Sequence, residues 1–215
     1  MQLYLSSYKL GENLEFLQNW SKGHENKKIA IIPNALDVYP DGERKTNNII
    51  VFQKELSELG FESFVLDLKQ FFNKEEELNE ILKNIGGVFV LGGNVFVLRQ
   101  AMKFSGFDTF VHNQVDNTNF IYMGFSAGIC VLSQNLDGIH LADEPEQDPY
   151  GVNSIIWEGL GIIDYLPVPH WESPNHAESH LMPNVVKYLD EKKLKYTTLR
   201  DGEVIIENLD KKQIL

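Results

Sequence analysis

Short apolar runs alternate with longer amphipathic segments along most of this chain. Residues 3–5, 29–32, 64–66, 88–91 and 120–123 are apolar and bounded by turn-forming residues. Between them, residues 47–59 place Ile49, Ile50, Phe52, Leu56 and Leu59 near helical spacing, and residues 74–85 do the same with Leu78, Ile81, Leu82 and Ile85. A strand that returns parallel to its predecessor needs a crossover, and a helix lying on the sheet supplies it. The alternation therefore predicts an α/β fold with a mostly parallel sheet covered on both faces. At 215 residues the chain suits one domain spanning 1–215.

The pattern loosens after about residue 135. Residues 143–151 are acidic and turn-rich and read as a surface loop, and residues 177–192 read as a further helix. Residues 197–199 and 204–206 flank Asp201-Gly202, which signals a hairpin. Ligands of such sheets bind beyond the C-terminal ends of the strands. Four predicted ends carry polar or glycine residues: Gly92-Gly93-Asn94, Gly124-Phe125-Ser126-Ala127-Gly128, His170 after residues 165–169, and Asp201.

The second of these is the most specific. A strand, then Gly-x-Ser-x-Gly, then a run able to open a helix is the setting of a nucleophile elbow. The bland alternative is a plain turn. A serine needs a base to take its proton. His170 lies between Pro169 and Trp171, where the backbone is constrained and water can be kept off. The alternative is a structural histidine. His24 reads as part of a solvated turn and His112 as a helix surface residue. Backbone N–H groups at Gly93 and Ala127 would form an oxyanion hole, while glycines at a βα turn also serve dihedral needs alone.

His176 and His180 have i, i+4 spacing with Glu178 between them. No His-Glu-x-x-His string and no second cysteine accompany them, so a polar helix start is the reading preferred over a metal site, and no metal or cofactor is expected. Cys130, the only cysteine, lies one helical turn after Ser126 and reads as core; a thiol nucleophile there is the remote alternative. A net charge of −12 argues against nucleic acid and anionic membrane as partners. The absence of a signal-like start or a long apolar span makes a cytoplasmic location the expectation.

Taken together, residues 90–98 with Gly92-Gly93-Asn94, the Gly124–Gly128 elbow and Pro169-His170 resemble the dipeptidase E family, peptidase S51, a relative of cyanophycinase. The resemblance implies a three-layer sandwich akin to class I glutamine amidotransferases, flavodoxin-like in outline. It also implies a serine peptidase acting on short peptides as a monomer or homodimer, with Ser126 as nucleophile and His170 as base. The family's third member is a glutamate in a Pro-Glu-Gly setting; here the matching string is Arg200-Asp201-Gly202. Asp201 is the preferred carboxylate and Asp143 its rival. Asn94, Asp143 and His180 are the candidate substrate contacts. The arginine that follows the histidine in Asp-X dipeptidases is missing from residues 171–180, with His180 near its place. The same features leave a non-catalytic binding protein on this scaffold as the alternative.

Overall fold

The computed structural model describes residues 1–39, 42–208 and 211–214. In chain order the elements are β1 (Gln2–Ser6), α1 (Leu14–Gly23), β2 (Lys28–Ile32), α2 (Glu43–Glu58), β3 (Glu62–Val65), α3 (Glu75–Leu82), β4 (Gly87–Val90), α4 (Val95–Ser105) and α5 (Phe107–Asn113). They continue with β5 (Ile121–Phe125), α6 (Ala127–Cys130), β6 (Leu166–Val168), α7 (Met182–Lys192), β7 (Tyr196–Thr198), β8 (Val204–Asn208) and β9 (Lys211–Ile214).

The main sheet runs β3-β2-β4-β5-β1-β8-β9. Its first five strands are parallel, and β8 and β9 join antiparallel at one side. Side chains alternate between the two faces of each strand, and two separate cores result. Leu3, Leu5, Ala30, Ile32, Val88, Val90 and Tyr122 point to the face covered by α3, α4, α5, α6 and α7. Tyr4, Ile29, Ile31, Phe89, Ile121 and Met123 point to the other face, covered by Leu17 of α1 and Phe52 and Leu56 of α2. Both faces of β1, β2, β4 and β5 are thus largely dry, which is why those runs are apolar throughout rather than alternating, whereas β3 at the sheet edge is partly exposed. Three layers, helices–sheet–helices, follow directly, as the alternation predicts. Among the described residues no helix is long and apolar enough to cross a membrane.

Two expectations are corrected. Asp201-Gly202 does form a tight turn, closed by the Glu203 N–H donating to the Arg200 carbonyl at 2.9 Å. The strands beside it do not pair as a hairpin. β7 pairs in parallel with β6 in a separate two-stranded sheet, whereas β8 pairs antiparallel with β1. The turn is a local property of Asp-Gly; the partner of each strand is chosen by the free edge nearest it. The helix expected from residue 177 begins at Met182, after a short 3-10 turn at Ser179–Leu181. Pro183 accounts for this, because a proline is tolerated only in the first turn of a helix.

Candidate active site

Ser126 sits between β5 and α6 with φ 50° and ψ −119°. This is a strained conformation for a residue with a Cβ, of the kind that costs about 1–3 kcal/mol and persists only where the surroundings impose it. The surroundings are tight. A Cβ placed on Gly128 would lie 2.3 Å from the Val90 carbonyl oxygen, so only glycine lets α6 cross β4 this closely. Gly93 follows β4 with φ +143°, and a Cβ there would meet the Ala35 carbonyl at 2.3 Å. No described hydrogen bond within the chain uses the N–H of Gly93 or of Ala127.

His170 follows β6 with φ 59° and is buried. Its Nδ1 and Asp201 Oδ1 are 2.7 Å apart, and its Nε2 and Ser126 Oγ are 3.1 Å apart. A carboxylate only accepts, so the imidazole proton belongs on Nδ1 and Nε2 is left to accept from the serine hydroxyl. Burial pushes the His170 pKa down to about 4, against the pull of the Asp201 carboxylate and with the help of repulsion from His176. The imidazole is therefore neutral near neutral pH.

His176 lies flat against His170, and the Tyr8 ring stands beside the pair, steeply inclined to both. Glu178 completes a cluster in which His170, His176 and Glu178 have ligand atoms within 4.8 Å of one another. As placed, the two imidazoles do not suit one ion. Nitrogen lone pairs lie in the ring plane, and these planes are parallel, 2° apart with centroids 3.5 Å apart. An ion about 2.0–2.1 Å from one nitrogen in its plane would lie far out of the plane of the other.

The structure brings Ser126, His170 and Asp201 together, and the three candidate substrate contacts take up hydrogen bonds of their own. Asn94 caps α4: its Oδ1 accepts from the N–H groups of Phe96 and Val97 at 2.9 and 3.0 Å, and its Nδ2 donates to the Glu144 carbonyl at 2.9 Å. Asp143 accepts from the Val95 N–H at 2.8 Å. The residue is half-buried with its carboxylate turned inward, and desolvation pushes its pKa up to about 7. These two residues pin the acidic loop onto the start of α4, bracing the glycine turn, and neither has a described hydrogen bond to His170. Helix-start side chains meet unpaired backbone donors there, which is why Asn and Asp settle at such positions. His180 is exposed and bonds to the Ala177 carbonyl, and with the helix starting later it does not share a helical face with His176. Cys130 is buried against the Pro167 carbonyl, and burial pushes its thiol well up, unlike a reactive thiolate.

The sequence profile described as peptidase family S51 matches residues 5–215. The chain belongs to peptidase family S51. S51 peptidases are serine peptidases. Two similar sequences are an uncharacterized peptidase of Listeria innocua, 26% identical over 69% of this chain and 66% of its own length, and one of Listeria monocytogenes, 26% identical over 72% and 70%. The matched stretch thus spans about two thirds of those relatives' lengths. A crystal structure of a Listeria monocytogenes EGD-e protein provisionally named a peptidase E superposes on all of this chain and 97% of its own, with TM-score 0.80 and 21% identity. A peptidase from an acI-B1 Actinobacterium superposes on all of this chain and 86% of its own, with TM-score 0.72 and 19% identity. Both share the fold of this S51 chain.

Two residues of this candidate site in the S51 chain escaped the sequence reading. Ser7, directly after β1, has its hydroxyl 2.9 Å from Asp201 Oδ1 and accepts from the His170 N–H at 2.8 Å. Ser173 accepts from the Asp201 N–H at 2.8 Å. The strand-end rule that points to the other positions, applied to residues 3–5, points to Ser6-Ser7 as well. Nothing local marks Ser173.

Proposed function

We propose that this S51 member hydrolyses short peptides through Ser126, His170 and Asp201. The observation that carries the reading is the unbroken chain Asp201–His170–Ser126, at 2.7 and 3.1 Å, on a neutral buried imidazole. In the first step Ser126 Oγ attacks the scissile carbonyl carbon while its proton passes to His170 Nε2. Asp201 accepts from Nδ1–H and stabilises the imidazolium. The tetrahedral oxyanion is met by the N–H groups of Gly93 and Ala127. Collapse expels the amine, which takes the proton from Nε2. Water, activated by the same imidazole, then releases the acyl group as a carboxylic acid. No step calls for a metal or organic cofactor.

The substrate preference is proposed to be broader than N-terminal aspartate. Residues 171–180 contain no arginine, and Arg200 is held by Glu172 on the surface. A neutral histidine does not reproduce the two-pronged grip of a guanidinium on a carboxylate. Carboxylates of Glu178 and Asp201 near the imidazole further disfavour an acidic side chain there.

The test combines Ser126→Ala with a fluorophosphonate probe and a panel of dipeptides of varied N-terminal residue. Wild type is expected to be labelled at Ser126 and to cleave several dipeptides, and Ser126→Ala to do neither. Wild-type turnover in Ser126→Ala defeats the assignment, and cleavage confined to Asp-X defeats the breadth. A wild type that neither labels nor cleaves returns the non-catalytic alternative.

A further inference from the structure

We propose that Ser7 is a positioning residue that holds the base and the acid of this site in register. The proposal rests on the triad reading above. Ser7 is fully buried, and its hydroxyl lies between two groups that the mechanism needs at fixed separation. The His170 N–H donates to Ser7 Oγ at 2.8 Å, and the Ser7 hydroxyl donates to Asp201 Oδ1 at 2.9 Å. That same Oδ1 accepts from His170 Nδ1. One hydroxyl therefore ties the backbone of the base to the oxygen that orients its ring. The Leu199 carbonyl, at 3.2 Å, is the competing acceptor, longer and uncharged.

The scaffold explains why this position does so. β1 lies between β5 and β8, with Ser6 opposite Phe125 on one side and Val204 on the other. The strand leading to the nucleophile and the strand leaving the acid are both bonded to the strand that ends just before Ser7. His170 is held at φ 59°, a conformation that needs external support, and its N–H bond to Ser7 is part of that support. A second donor on Oδ1 also tempers how strongly that oxygen draws the Nδ1 proton, and so limits the basicity of His170.

The experiment uses the full chain with Ser7→Ala and Ser7→Thr, each checked for a cooperative melt. It reads the rate of Ser126 labelling by a fluorophosphonate as a function of pH, and the pH titration of the His170 imidazole by NMR. Ser7→Ala is expected to label about tenfold more slowly, the loss set by one hydrogen bond to a charged group. Its acid limb and its imidazole titration should both move to higher pH, because Oδ1 is left to His170 alone. Ser7→Thr, which keeps the hydroxyl, should return both toward wild type. A merely structural role would lower stability and leave the acid limb in place. A folded Ser7→Ala with wild-type rate and acid limb overturns the proposal. If Ser7→Ala does not fold, Ser7→Cys, with its weaker donor, is read by the same two measurements, and wild-type values there overturn it equally. If wild-type Ser126 takes no label, the triad reading fails, and the imidazole titration decides for Ser7: an upward shift in Ser7→Ala upholds the link and an unchanged titration ends it.

Discussion

The imidazole of His176 lies flat on that of His170, centroids 3.5 Å apart and planes 2° from parallel. It keeps water from one face of the base and places a second ionisable ring against it. Both effects push the His170 pKa down. In His176→Ala the acid limb of kcat/KM should therefore rise from near 4 toward the ordinary histidine range of about 6.5. His176→Phe restores the apolar cover without the charge and should fall between the two. A pH–rate profile of the three proteins checks this; an unmoved limb in His176→Ala would show that the stack does not tune the base.

Asp201 and Asp143 are separated by a side-by-side comparison. Asp201→Asn leaves His170 Nδ1 facing an amide, which favours the wrong tautomer, and kcat should fall by about 10⁴-fold with little change in KM. Asp143→Asn keeps an acceptor for the Val95 N–H and should lose far less. A larger loss in Asp143→Asn than in Asp201→Asn would reverse the assignment of the orienting acid.

The pH dependence of stability carries two opposed contributions. His170 has a folded pKa near 4, below its unfolded value of about 6.5. Its contribution is present above pH 6.5 and is lost as the pH falls toward 4. Asp143 has a folded pKa near 7, above its unfolded value. Its contribution is present below the unfolded carboxylate range and is lost as the pH rises through 7. Denaturant melts of Asp143→Asn should therefore show a gain over wild type at pH 8 that vanishes by pH 4. His170→Gln should flatten the loss of stability between pH 6.5 and 4.

Gly93→Ala tests the glycine turn. The substituted residue would face φ +143° and a 2.3 Å contact with the Ala35 carbonyl, so backbone must shift. The expected result is a labelling rate reduced by about 10²–10³-fold, the scale of losing one oxyanion donor, with a lowered Tm. Labelling at the wild-type rate would remove Gly93 from the site.

The features legible in the residues share one property: each is written in short-range order. Apolar runs announce β2, β4 and β5, and the Gly124–Gly128 spacing announces the elbow, because a tight strand-to-helix turn accepts only small flanking residues. Pro183 was equally legible and would have placed the start of α7. Asn94 and Asp143 carry a role that their identity leaves open, because Asn and Asp near a strand end suit a substrate contact and a helix cap alike. Their identity does not say which; the orphan N–H groups of Val95, Phe96 and Val97, a few ångströms away, do.

From its residue order alone, this chain is committed to an α/β sandwich, to an elbow at Ser126 and to a turn at Asp201-Gly202. Periodicity and turn chemistry are local, so no partner is needed to read them. The tertiary structure decided that β8 joins β1 rather than β7, that His176 covers His170, and that Ser7 touches both the histidine and the aspartate. Those outcomes depend on which edges and faces remain unsatisfied once the sheet has formed. Residues 7, 126, 170 and 201 lie far apart in the chain, and only the meeting of strand ends from the two sheets brings their hydrogen-bonding groups into contacts of 3.1 Å or less, in sequence from acid to base to hydroxyl.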